Sequence, residues 1–202
     1  MKKITKGNYG YIKYEKKKRG IITFVMFAIP MIIFITGLLQ TGTRKNLFTL
    51  VAVLGMLPAA KVAVNLIMIL MQKSAMQETF DQTEARAKNL VRAYELTVTA
   101  YEGSMSMEAM VICGNQVAAY SSAEKGKFDF MEKHMAKILS SNGYYSVKVK
   151  IFRELKPFLE RIDQLAKNPE KYQEGIKFTP DENYPDLSRE ELIKHVLMAI
   201  SI

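Results

Sequence analysis

Two apolar runs in the N-terminal third of the chain constrain its solvent more than any other feature. Residues 20–39 (Gly20 to Leu39) carry no charge, and residues 47–71 (Leu47 to Met71) carry one, Lys61. A helix needs about 20 apolar residues to cross the hydrocarbon of a bilayer. A helix that is apolar on every side belongs in a deep protein core or in lipid, and residues 72–202 are too few to bury two such helices. The first run is longer than the apolar stretch of a cleaved signal peptide, and a second run follows at once. The expectation is a membrane helical hairpin: spans at 20–39 and 47–71, joined by a short external loop at 40–46.

Charge is distributed to match. The formal net charge is +9. Within residues 1–19, Lys2, Lys3, Lys6, Lys13, Lys16, Lys17, Lys18 and Arg19 face a single acid, Glu15; the loop adds Arg44 and Lys45. Residues 72–202 hold 18 basic and 19 acidic residues and are close to neutral. A nucleic-acid-binding domain carries its own basic surface, so the excess points to anionic lipid headgroups as partner and not to nucleic acid. The bias of Lys and Arg towards the N-terminal flank predicts a multi-pass protein of the cell membrane with both termini cytoplasmic. Tyr9, Tyr11 and Tyr14 among these lysines suit an interfacial segment. The single cysteine, Cys113, rules out an intramolecular disulfide.

Four residues inside the spans interrupt the apolar pattern. Pro30 and Pro58 each remove a helical hydrogen bond and favour a kink. Lys61 is ten residues from the end of its run, and a charge at that depth faces protein or water. Asn65, four residues on, shares its helical face. A Lys61/Asn65 stripe could face the first span, another subunit or a small aqueous cavity.

Residues 72–202 read as a small α+β domain. The spacing of Met76, Phe80, Ala87, Leu90, Val91 and Tyr94 predicts a helix over 72–95 that continues from the second span. Strands are predicted at 96–102, 105–113 and 116–121, the last two joined by a Gly114-Asn115 turn. A helix at 127–142 stops at Gly143, a strand at 146–152 alternates lysines with aliphatics, and a helix covers 154–167. After an irregular stretch at 168–187, Ser188 and Glu191 form the capping box of a last helix. The order is α-β-β-β-α-β-α-α.

The β-β-β-α-β order after a leading helix resembles the restriction-endonuclease-like fold, but without that family's active site. Its pattern wants an acid on the second strand, where Glu108 stands, and a Glu-x-Lys pair on the third, which Gln116 to Ser122 lacks. His134 and His195 have no Cys or His at ligand spacing. Cys113 has no orienting motif and reads as a core thiol, and the Asp181-Glu182 pair reads as solvated loop. The expectation is therefore no catalytic residue, no metal and no cofactor.

The string Thr41 to Met68 (TGTRKNLFTLVAVLGMLPAAKVAVNLIM), with Lys150-Ile-Phe152 and Leu159 to Leu165 (LERIDQL), resembles a group of uncharacterised bacterial two-helix membrane proteins that sometimes carry the label "O-linked GlcNAc transferase-like". The resemblance implies a two-helix anchor and carries over no activity. The chain has no 34-residue helical repeat and no Asp-x-Asp sugar-nucleotide motif. The function expected is a membrane-anchored, non-enzymatic interaction module with a protein partner or as a homo-oligomer. The alternative is a small oligomeric transporter or sensor subunit that uses Lys61.

Overall fold

The computed structural model describes residues 3–123, 126–176, 178–180 and 183–201. The Asp181-Glu182 pair lies outside these. The chain forms two compact units: Ile12–Gln72, and a domain built from Lys73 onward together with the residues up to Tyr11.

The first unit is a helical hairpin. Helix α1 runs Tyr11–Thr41 and α2 runs Leu47–Leu70. Asn46 sets the turn: its Oδ1 accepts from Thr49 N at 2.8 Å, and its Nδ2 donates to Thr41 Oγ1 and Thr43 O, both at 2.7 Å. The cap leaves α2 with a satisfied first turn. The helices pack through small residues. A Cβ on Gly37 would stand 2.3 Å from Phe48 Cβ, and one on Gly55 would stand 3.1 Å from Pro30 Cγ. Without side chains at these positions the two backbones can approach closely. Both prolines sit within unbroken helix; Pro30 is buried and Pro58 exposed.

The domain is a four-stranded sheet with helices on both faces. It comprises α3 (Gln77–Arg86), β1 (Val91–Ala100), β2 (Gly103–Cys113), β3 (Gln116–Tyr120), α4 (Phe128–Ser141), β4 (Lys148–Phe152), α5 (Leu155–Lys167), α6 (Pro169–Gln173) and α7 (Arg189–Ala199). The sheet order is β1-β2-β3-β4. The first three strands form an antiparallel meander, and β4 joins β3 in parallel after the crossover through α4. The α+β expectation holds, with a helical hairpin ahead of it.

One sequence expectation fails here. The helix expected over 72–95 as a continuation of the second apolar run shrinks to α3: α2 ends at Leu70, residues 71–76 are not helical, α3 runs only Gln77–Arg86, and β1 begins at Val91. Leu90, Val91 and Tyr94 fit helical spacing, but Val91, Ala93 and Tyr94 also fit a strand whose two faces are both covered. Pairing of Val91 with Ile112 and of Ala93 with Met110 settles the competition in favour of strand. The irregular stretch at 168–187 also contains the short α6.

Two cores fill the two faces. One holds Ala93, Leu96, Val98, Met105, Met107, Met110 and Ile112 beneath α4 and α7. The other holds Tyr94, Ala109, Val111, Cys113 and Tyr120 beneath Phe158, Leu159, Ile162 and Leu165 of α5. Strand alternation has period two, yet Ala93 and Leu96 share a face, as do Met107 and Met110. Both strands therefore slip by one residue at the same level. Tyr94 pairs with Ala109 and Leu96 with Met107, which leaves Glu95 opposite Glu108 at the slip. Glu95 has φ +53°, the one positive φ outside glycine among the described residues.

The N-terminal residues complete the domain. Gly7 bridges Tyr94 at the outer edge of β1, where Tyr94 N donates to Gly7 O at 2.9 Å. Tyr9 stacks on Phe80 with ring centroids 4.4 Å apart. Lys6 Nζ donates to Met198 O at 2.7 Å and to Ser201 O, at the end of α7, where a cation meets the negative end of the helix dipole.

Candidate functional site

The feature of this chain most available for interaction is the hairpin surface. α1 and α2 are each long and apolar enough to span a membrane, and only 11% of the most apolar window of either helix is buried within the protein. A core helix of a water-soluble protein buries most of such a window. Phe24, Ile32, Leu39, Leu47, Val53 and Leu57 are among the large side chains that stand exposed. An exposed apolar surface of this extent marks contact with lipid or with another protein.

Five of the hairpin's basic residues, Lys13, Lys16, Lys17, Lys18 and Arg19, gather at the end away from the loop. α1 begins nine residues before its apolar run, so they form its first turns. Glu15 is 7% exposed and pairs with Lys18 Nζ at 3.3 Å and Arg19 Nε at 2.9 Å. The collar ties the two helices together as well: Lys16 Nζ donates to Gln72 O at 2.7 Å and Arg19 Nη1 to Asn65 O at 3.3 Å.

These contacts fix the level of Lys61. By sequence it lies deep in its run. In the hairpin, Arg19 stands level with Asn65, and Lys61 is one turn, about 6 Å, further along. A lysine stem can lie along apolar surface and return its ammonium over that distance. Lys61 and Asn65 are both exposed, whereas α2 turns Ala52 and Ala59 inward. The side chains of Lys61 and Asn65 thus share one exposed face of α2, while the Asn65 backbone carbonyl accepts from Arg19 of α1.

Other residues singled out by sequence are dispersed. His134 lies on α4 with its ring 6.2 Å from Phe130, and His195 lies on α7 with its ring 4.9 Å from Tyr184. Cys113 is 1% exposed at the end of β2, and burial pushes its thiol up to about 11. Such a thiol is neutral at physiological pH and a poor nucleophile. Among the described residues, no three of His, Cys, Asp and Glu converge as metal ligands. On the lysine face of β4, Lys150 Nζ lies 3.0 Å from Glu132 Oε1.

Sequence reading missed the N-terminal strap. Gly7-Asn8-Tyr9-Gly10 interrupts the lysine run, and Gly7 and Gly10 adopt φ +85° and +84°. A Gly-bounded tetrapeptide is a turn signal; it shows that the flank is folded and not merely a basic tail. Tyr9, expected at the membrane interface, stacks on the domain instead.

Comparison of the chain with known proteins returns no matching family model, no matching curated protein and no matching solved structure.

Proposed function

We propose that the chain is a membrane-anchored, non-enzymatic interaction module. In this reading α1 and α2 cross the cell membrane, Thr41 to Asn46 lies outside, and the domain faces the cytoplasm, where it meets a protein partner. The observation that carries the reading is the exposed apolar surface of both helices between a collar of five basic residues, Lys13 to Arg19, at one end and only Arg44 and Lys45 at the other. That asymmetry orients the hairpin by the positive-inside rule, and each collar residue near anionic headgroups contributes about 1 kcal/mol. Packing of residues up to Tyr11 with those from Lys73 onward supports placing both on one side. The test uses single cysteines in a Cys113→Ser background. Thr43→Cys should react with an impermeant maleimide on intact cells, and Tyr101→Cys, fully exposed on the domain, only after permeabilisation. Equal labelling of both before permeabilisation would overturn the topology. Crosslinking from Tyr101 in native membranes should capture a discrete partner; its failure at several exposed positions would count against the module.

The outward Lys61/Asn65 face favours a second reading, an oligomeric transporter or sensor subunit in which that face meets neighbouring copies. Lys61→Leu should then abolish oligomerisation in detergent while membrane insertion persists, and an unchanged oligomer distribution would dismiss it.

The run α3-β1-β2-β3-α4-β4, with β4 parallel to β3, supports a restriction-endonuclease-like topology. Glu108 on β2 is buried, and β3 offers neither Glu nor Lys, so we carry no nuclease activity with it.

A further inference from the structure

The loop end of the hairpin carries two cations that the rest of the chain leaves unanswered. Arg44 and Lys45 are exposed, and among the described residues neither side chain has a hydrogen bond or an ion pair. The collar at the other end is engaged: Lys18 and Arg19 pair with Glu15, and Lys16 holds Gln72 O. Asn46, beside the two cations, is committed to the turn through Thr41, Thr43 and Thr49.

Two hollows in the hairpin meet near these cations. The first, of about 550 Å3, has Arg44 and Lys45 at one end and Leu47, Leu50 and Val53 of α2 along its wall. All three apolar side chains are exposed. Val53 also lines the second, of about 120 Å3, which lies between the helices against Pro30, Met31 and Phe34 of α1 and Ala52 and Met56 of α2. The helices touch at this level, since Ala52 is buried and a Cβ on Gly55 would crowd Pro30. Leu47 and Met56 are nine positions apart, about 14 Å of helix. Polarity changes once along that length, from cationic at the loop to wholly apolar at the inner hollow.

We infer that this groove holds one anionic phospholipid, its phosphate on Arg44 and Lys45 and one acyl chain along Leu47, Leu50 and Val53 into the hollow beside Phe34. The guanidinium takes phosphate oxygens in pairs, and the ammonium adds a second positive charge. A soluble anion would have no use for the apolar wall. An apolar helix of a second copy would leave both cations without a counter-charge. Within a bilayer an acyl chain gains nothing by leaving water, so the headgroup supplies the selectivity and the inner hollow fixes where the chain lies. The inference rests on the anchoring role proposed above and deepens it by naming the lipid class that the loop end selects. It holds for whichever leaflet the loop faces.

The chain contains no tryptophan, so Phe34→Trp places a single fluorophore in the inner hollow; Met31→Trp reports from the same place should the first variant fail to fold. Full-length protein is reconstituted in phosphatidylcholine vesicles, with chain-brominated phosphatidylglycerol or chain-brominated phosphatidylcholine as quencher. Phosphatidylglycerol should reach half-quenching at about a tenfold lower mole fraction. Arg44→Gln together with Lys45→Gln should abolish that preference, and inorganic phosphate at constant ionic strength should leave it unchanged. Equal quenching by the two lipids overturns the inference, as does a preference that survives loss of both cations. Displacement by inorganic phosphate overturns it too, in favour of a site for a free anion. If the chain stays in carbonate-washed membranes alongside any of these results, only the lipid site falls. If carbonate releases the chain, the anchoring role falls and takes the lipid site with it.

Discussion

Glu84 shows how a single side chain organises the rim of the domain. It stands on α3, where its Oε1 accepts from Tyr94 OH at 2.7 Å and from Arg92 Nε. Burial alone would raise its pKa; the bonds from Arg92 and Tyr94 and the Arg92 charge outweigh that and hold the carboxyl below its usual range. A carboxylate with a depressed folded pKa contributes stability above its unfolded pKa and loses it as pH falls through the folded value. Glu84→Gln should therefore cost about 1 kcal/mol at neutral pH, since the pair is partly solvated. The difference from wild type should close below about pH 4, read from melting temperatures across a pH series. Cys113 makes the opposite case. Its buried, neutral thiol should label slowly with maleimide in the native protein and rapidly in SDS, and fast native labelling would show that β2 opens.

Among the elements, the β2–β3 turn has the least tolerance. Gly114 has φ +53°, and a Cβ there would sit 1.9 Å from Tyr172 O of α6. Gly114→Ala should destabilise the domain by more than about 1 kcal/mol, visible as a lowered denaturant midpoint. The α7 cap is more forgiving: Ser188→Ala removes one half of the capping box and should cost about 1 kcal/mol. Legibility in the sequence follows the same physics. The two long apolar helices, the Gly114 turn, α4, α5 and the Ser188 cap are local signals, written in composition, period or cap chemistry, and the structure shows each. The 87–95 stretch was not legible, because Leu90, Val91 and Tyr94 satisfy both periods and only pairing with β2 decides. The Glu95–Glu108 juxtaposition depends on two coincident slips that no single strand reveals. The level of Lys61 depends on which turn of α1 faces which turn of α2.

For the whole molecule, the anchor and the domain differ in what stabilises them. In the proposed anchoring role the hairpin relies on lipid to solvate its exposed apolar side chains, with close contact at Gly37 and Gly55. Gly37→Leu, which forces a side chain into Phe48, should separate the helices and lower resistance to proteolysis in detergent while the domain melts unchanged. Alkaline carbonate extraction should leave the full chain in the membrane pellet. The domain relies on two cores and on the strap. Tyr9→Ala removes the ring stacked on Phe80 and should cost about 2 kcal/mol of domain stability without changing membrane retention.

The strap also imposes an order of events. Lys6 and Ser201 are 195 positions apart along the chain and joined in the folded domain. A ribosome delivers the strap well before its docking site. Residues 3–10 must therefore wait, undocked, while both helices of the hairpin and the sheet form, so a stretch made before them is among the last to find its place. A chain that stops short of α7 would leave that stretch with no carbonyls for Lys6 to hold.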